Sequence, residues 1–174
     1  GFEDPDIWID GKTNLIHVYF TIPFISEDKN KYQSKIHLGH AVGGNIDSLE
    51  MTTPVLLNDQ VGIAKELSVA PLNKKGFRYN LVESSDKIGN INYSTVSIAI
   101  SKNMSKSWKF GDTVFHPAKE NIPWIAGHAS PGPLFPKTFI NIGESKRLGI
   151  VNGREANKII NGKTMYGIFS VGLF

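Results

Sequence analysis

The chain has no cysteine, which excludes a disulfide framework, a thiolate metal site and a cysteine nucleophile, and leaves the redox compartment open. It also lacks an uninterrupted apolar stretch of the roughly eighteen residues that a membrane helix needs. Its opening residues, Gly1-Phe2-Glu3-Asp4-Pro5-Asp6, do not follow the basic and then apolar pattern of a signal peptide, so a soluble chain of undecided compartment is expected. Basic runs are missing too. The 19 Lys and Arg are scattered against 16 Asp and Glu, and a net charge of +3 in that form makes nucleic acid a poor partner. No phosphate-cradling glycine motif or Ser-His-Asp arrangement stands out, and the five histidines show no ligand spacing, so neither a metal nor a cofactor is implied. Helical patterning is scarce: the longest candidate, 153–160, is about two turns with Gly and Asn at its boundary. What remains is 40% hydrophobic and 20% charged residues in 174, enough for one domain with a sizeable core.

Short β-rich segments recur at 16–22, 35–41, 78–83, 95–101, 138–142, 148–152 and 165–171. Between and within them stand Asp10-Gly11, Gly43-Gly44, Gly89-Asn90, Asn152-Gly153 and Asn161-Gly162, the dipeptides that supply positive φ for tight reversals. The pattern predicts an all-β chain. It also repeats: Tyr19 and Tyr79, and Leu38 and Ile98, are each 60 apart, and Leu49 to Trp108 and Val55 to Val114 are each 59 apart. A third unit opens at Ala129-Ser130-Pro131-Gly132-Pro133 and ends without a recognisable outer strand. Repeats of this length, each with about four short strands, predict a partial β-propeller of about three blades, at 2–59, 63–117 and 124–174. A β-sandwich with incidental similarity between its halves is the competing fold.

The order of landmarks resembles the five-bladed propeller glycosidases, glycoside hydrolase families 32, 43 and 68 and the related family 130 phosphorylases. Glu3-Asp4-Pro5-Asp6-Ile7 looks like their acidic-Asp-Pro signature, and Ala129-Ser130-Pro131-Gly132-Pro133-Leu134 is similar to their third-blade Gly-Pro segment. The resemblance implies a glycan ligand and carboxylates that converge on one end of a central channel. One departure bears on activity: where family 43 carries a Glu before Gly-Pro as general acid, this chain has Pro131, which transfers no proton.

Glycosyl transfer to water uses two carboxyl groups about 5 to 9 Å apart. Asp4 and Glu66 occupy matched places in the repeat and are the expected catalytic pair, Asp4 as base or orienting carboxylate and Glu66 as the second carboxyl group, both at one end of the channel. Asp6, in the same acidic segment, is expected to contact the sugar. Trp124 and His128 precede the third inner strand and, with Ser130, are expected at the sugar-binding face, while Trp8 is expected in the core. His37 and His40, three apart on a strand, should point to opposite faces, with His40 retained as a sugar contact. Arg154, beside the Asn152-Gly153 turn, could hold a carboxylate or phosphate. The functional expectation is therefore a glycosidase-like module that cleaves or binds a glycan. Its rivals are a non-catalytic sugar-binding module and a protein-interaction scaffold. Open sheet edges of a three-blade unit further predict a homodimer.

Overall fold

The computed structural model describes residues 2–24, 35–52, 55 and 63–174, and thirteen strands account for most of its regular structure. Strands β1 (Glu3–Ile9), β2 (Ile16–Phe24), β3 (Lys35–Gly43) and β4 (Glu50–Met51) form an antiparallel sheet in sequence order. A second meander follows: β5 (Lys65–Ser68), β6 (Arg78–Ile88), β7 (Ile91–Ser101) and β8 (Lys109–Phe115). After the single turn α1 (Pro117–Glu120), β9 (His128–Leu134) and β10 (Gly149–Arg154) pair, the hairpin β11 (Lys158–Ile160) and β12 (Lys163–Met165) projects, and β13 (Phe169–Leu173) returns to β10. The second and third sheets are joined by one parallel pairing, Ser94 with His128. The chain is all-β, a partial propeller.

Local chemistry accounts for the reversals. Gly89 at φ +60 opens the two-residue turn between β6 and β7, and Asn161 and Gly162, both at positive φ, make the turn between β11 and β12. Asn152-Gly153, expected as a turn, lies inside β10. Glycine is needed there for a different reason: a Cβ on Gly153 would sit 2.6 Å from the Trp124 ring. The expected strand at 138–142 is absent, because the amides of Phe139 and Ile140 both donate to the Pro136 carbonyl and close a turn. The inner strand of the third sheet is instead β9, in spite of Pro131 and Pro133; it meets β7 at a single residue pair, so that edge has few ladder bonds for proline to break. The expected strand at 165–171 is divided between β12 and β13. The repeat landmark Val55 is the one residue of 53–56 among those described; its amide donates to the Leu38 carbonyl.

Two apolar seams hold the sheets together. Tyr19, Leu38, Val55, Leu67, Val82 and Trp108 bury one between the first and second sheets, where the Tyr19 hydroxyl donates to the Met104 carbonyl at 2.9 Å. Val96, Ile125, Ala129 and Val151, with Trp124 and Leu81 against them, form the other between the second and third. The second sheet is thus covered on both faces, as a blade between two neighbours must be. Each fully buried large side chain contributes roughly 1.5–3 kcal/mol to that packing.

The register corrects two landmarks. Glu3 opposite Thr21 corresponds to Lys65 opposite Glu83, and Asp6 opposite Tyr19 to Ser68 opposite Leu81, so the first two strands repeat at an offset of 62 rather than 60. The counterpart of buried Tyr19 is Leu81, and Tyr79 is 48% exposed. Leu38, opposite Thr21, corresponds to Val96, opposite Glu83, rather than to Ile98.

Candidate functional site

The two inner strands β1 and β5 begin in the same unusual way. Each carries a register shift, between Glu3 and Asp6 and between Lys65 and Leu67, and the residue inside it takes a left-handed backbone, Asp4 at φ 49 and Glu66 at φ 47. That conformation costs a side-chain-bearing residue roughly 1–2 kcal/mol. Such bulges re-aim side chains at sheet rims and accumulate next to functional sites. Two acidic residues at equivalent, strained positions make this end of the sheets the candidate site.

The shifted strands bring a charged cluster together. The Asp6 carboxylate accepts the Leu67 amide at 2.6 Å and so ties the first sheet to the second at both bulges. Burial, opposed by that amide and reinforced by Glu66 and Asp4, pushes Asp6 up to about 6. Lys65 reaches Asp4 at 3.6 Å and Glu83 at 3.9 Å. Burial pulls its ammonium down, but Glu83, Asp4 and Glu66 more than offset this and raise it. Asp4 and Glu66 both act on Asp6, Lys65 and Glu83, which puts them at one end of the sheets.

Glu83 lies deepest. It is 0% exposed, faces the third sheet from β6, and stands 3.9 Å from His128 Nε2. Neither of its oxygens has a well-formed hydrogen bond among the described residues, although the Ser94 side chain lies near enough to act on the carboxyl as a donor. Burial, with Glu66 and Asp4 adding and Lys65 and Ser94 opposing, pushes that carboxyl up to about 8, so it is mostly protonated at neutral pH. Its counterpart in the first sheet, Thr21, is buried too, with a hydroxyl that has no partner among the described residues. His128 is pulled down to about 4 by burial and by Lys65 and Arg154, and is neutral. Beside it, Arg154 lies under Tyr166 and Phe169 at 5.7 and 5.6 Å, two rings that are 78% and 66% exposed. Phe169 also meets His128 edge to face at 5.8 Å. Exposed aromatic faces beside carboxyl groups and an arginine can hold the apolar face of a pyranose and hydrogen-bond its hydroxyls.

Asp4, Asp6, Glu66, His128 and Arg154 therefore share one end, and three expected residues do not join them. His40 is 0% exposed in the first sheet, bonded to His17 at 3.0 Å and Thr52 at 2.7 Å, with no surface left for a ligand. Trp124 packs over Gly153 and Gly172, where Cβ atoms would fall 2.6 and 2.5 Å from its ring, and lines an apolar cavity of about 420 Å³ between the second and third sheets. Ser130 is buried inside β9 opposite Asn152. Lys65, Tyr166 and Phe169 carry no signal in the sequence that points to this site. Glu83 carries one, as a lone acid directly after Leu81-Val82 in a strand core. A cavity of about 730 Å³ opens at the other end of the inner strands, around Trp8, Val69 and Leu134. The carboxylate end is the better catalytic candidate because strain, burial and acid groups coincide there.

No helix among the described residues is long and apolar enough to cross a membrane. No protein-family model matches the chain, and no curated protein is significantly similar in sequence. Solved structures are similar in fold. A glycoside hydrolase superposes with a TM-score of 0.67 at 11% identity, over 99% of this chain and 53% of that one. A thermostable family-43 glycoside hydrolase gives 0.58 at 13% identity, over 95% and 57%. The β-1,2-mannobiose phosphorylase from Listeria innocua, in complex with β-1,2-mannobiose, gives 0.58 at 19% identity, over 88% and 36%. The chain spans between about a third and three fifths of the length of these structures. Together with the three sheets, these likenesses show that the chain has a partial β-propeller fold of the kind found in glycosidases.

Proposed function

We propose that this chain is a carbohydrate-active propeller module that handles a glycan where Asp4, Asp6, Glu66 and Glu83 converge. The observation that carries the proposal is the pair of left-handed acidic residues at equivalent bulges, one on each of two adjacent inner strands. In the catalytic form, half-exposed Asp4 activates water or orients the sugar, and a carboxyl group kept protonated by burial supplies the proton to the leaving oxygen. Arg154, Tyr166 and Phe169 would seat the sugar. One observation favours a second reading, a sugar-binding module without turnover: Glu83 has no exposed surface, and Pro131 stands buried where the resembled enzymes place an acid. Blades at 2–59, 63–117 and 124–174 complete the proposal.

The deciding experiment is a panel of nitrophenyl glycosides together with a glycan array, run on the wild type and on Asp4→Asn, since Asn also tolerates the left-handed backbone. Turnover lost in the variant supports catalysis. Glycan binding without turnover supports the second reading, and neither on broad panels rejects both. We also propose self-association through exposed apolar strands, Ile7 and Ile9 on β1 with Phe2 just before it, and Val171 and Leu173 on β13. Light scattering should then give twice the 19.2 kDa chain mass, and a monomer at micromolar concentration rejects the dimer.

A further inference from the structure

We propose that the cavity at the far end of β1, β5 and β9 is a second binding site, one that takes a short acidic saccharide. At about 730 Å³ it has the size of a small-ligand pocket. Its lining is lopsided in charge: Lys12, Arg78, Lys102 and Arg147 come from all three sheets and their connections, against the single carboxylate of Asp10. That carboxylate is already engaged, one oxygen with the Lys12 amide and the other with the Thr13 hydroxyl, both at 3.0 Å. None of the four cations makes an ion pair among the described residues. Four cations against the one Asp10 carboxylate, whose charge acts on Arg78, leave a surplus of positive charge around one concavity; the cations repel each other at some cost in stability, and an anion bound among them relieves that cost.

Arg78 shows that the site is organised in advance. Its guanidinium stacks 4.7 Å from the centre of the Trp8 ring and donates one N–H to the Ala70 carbonyl at 2.5 Å. Of the roughly five N–H donors that a guanidinium carries, the others make no hydrogen bond among the described residues. A planar donor held against an indole matches a carboxylate or sulfate group, and the half-buried Trp8 offers apolar surface beside it. A bare inorganic oxyanion would fill little of the cavity and make no use of Trp8. A sugar bearing the oxyanion uses both.

Calorimetric titration of the full chain with trigalacturonic acid, neutral galactotriose and sodium sulfate tests this. The acidic trisaccharide should bind, sulfate should bind at least tenfold more weakly, and galactotriose should give no heat. A Lys102→Gln/Arg147→Gln double variant should weaken the acidic ligand by about tenfold or more, as loss of charge-assisted contacts requires. Both positions are exposed or half-exposed, and circular dichroism checks that the variant is folded. Added salt should weaken binding as well. Asp4→Asn should leave this affinity unchanged, which separates the site from the glycosidase reading. No binding of the acidic trisaccharide, equal affinity in the double variant, or sulfate binding as tightly as the sugar would overturn the proposal.

Discussion

The starts of β1, β5 and β9 gather Asp4, Asp6, Glu66 and Glu83, and the other ends of the same strands, roughly 10–20 Å away, gather Lys12, Arg78, Lys102 and Arg147. The two ends solve the crowding of like charge differently. At the acidic end, burial pushes Asp6 and Glu83 toward their protonated forms, Lys65 sits between Asp4 and Glu83, and the backbone is bent into left-handed positions to place the side chains. At the basic end the cations keep contact with solvent and with aromatic rings, Arg78 on Trp8 and Lys102 on Phe77. Acid groups can discharge by taking up a proton near neutral pH, whereas arginine and exposed lysine cannot. Proton chemistry thus suits the first end and anion binding the second.

Turnover should separate the ends most strongly. Asp4→Asn is expected to lower any glycosidase rate by about 10²–10⁴-fold, while Arg147→Gln leaves it within about twofold, as measured on whichever nitrophenyl glycoside the wild type cleaves. Equal losses in both variants would mean that the ends are one site.

Between the ends, Gly172→Ala changes no charge but drives a Cβ to within 2.5 Å of the Trp124 ring. Overpacking of that kind should cost about 1–3 kcal/mol in a urea melt at every pH and salt concentration. A loss that varied with pH would tie the seam to the acid cluster.

Stability should also fall as pH rises from about 7.5 to 9. Glu83, raised to about 8 in the folded chain from an ordinary 4.5, contributes stability that is complete below the lower value and is lost as pH climbs through the higher one. His17, His40 and His128, all lowered by burial, act in the opposite sense until the unfolded imidazoles have lost their protons, about one unit above 6.5. Above about pH 7.5 the Glu83 effect outweighs them, at roughly 1 kcal/mol over the window. Thermal melts of Glu83→Gln should show no such slope. A slope that persists in the variant would remove Glu83 from the account.

Smallest of all, Arg147→Gln, at a cation with no ring contact among the described residues, should stabilise the chain by a few tenths of a kcal/mol at low salt and by nothing at high salt, because it relieves repulsion between solvated cations. A destabilisation would show that Arg147 has a partner and that the surplus charge of the basic cavity is already offset.

Much of this architecture was legible in the residues. The β-rich composition of β2, β6 and β7, and the turn dipeptides Gly89-Asn90 and Asn161-Gly162, act within a few residues, so the all-β reading follows from local chemistry. The match of Asp4 to Glu66 also survived, because both repeats place an acid at the same distance before their second strand. The pairing of Tyr19 with Tyr79 slipped by two residues: a slip of two keeps the same face of a strand, so side-chain pattern alone does not detect it. Proline in β9 and glycine in β10 misled for a related reason, since a free strand edge tolerates the first and the Trp124 ring requires the second.

The sequence by itself determined the class of structure, the period of its repeat and the place of two acids within it, because these depend on neighbours along the chain. Only the tertiary structure decided that Lys65, Glu83 and His128 meet, that His40 and Trp124 are taken up by packing, and that four cations share one cavity. Those residues come from separate sheets, tens of residues apart, and come together only through face-to-face packing of sheets and the bulges that open β1 and β5.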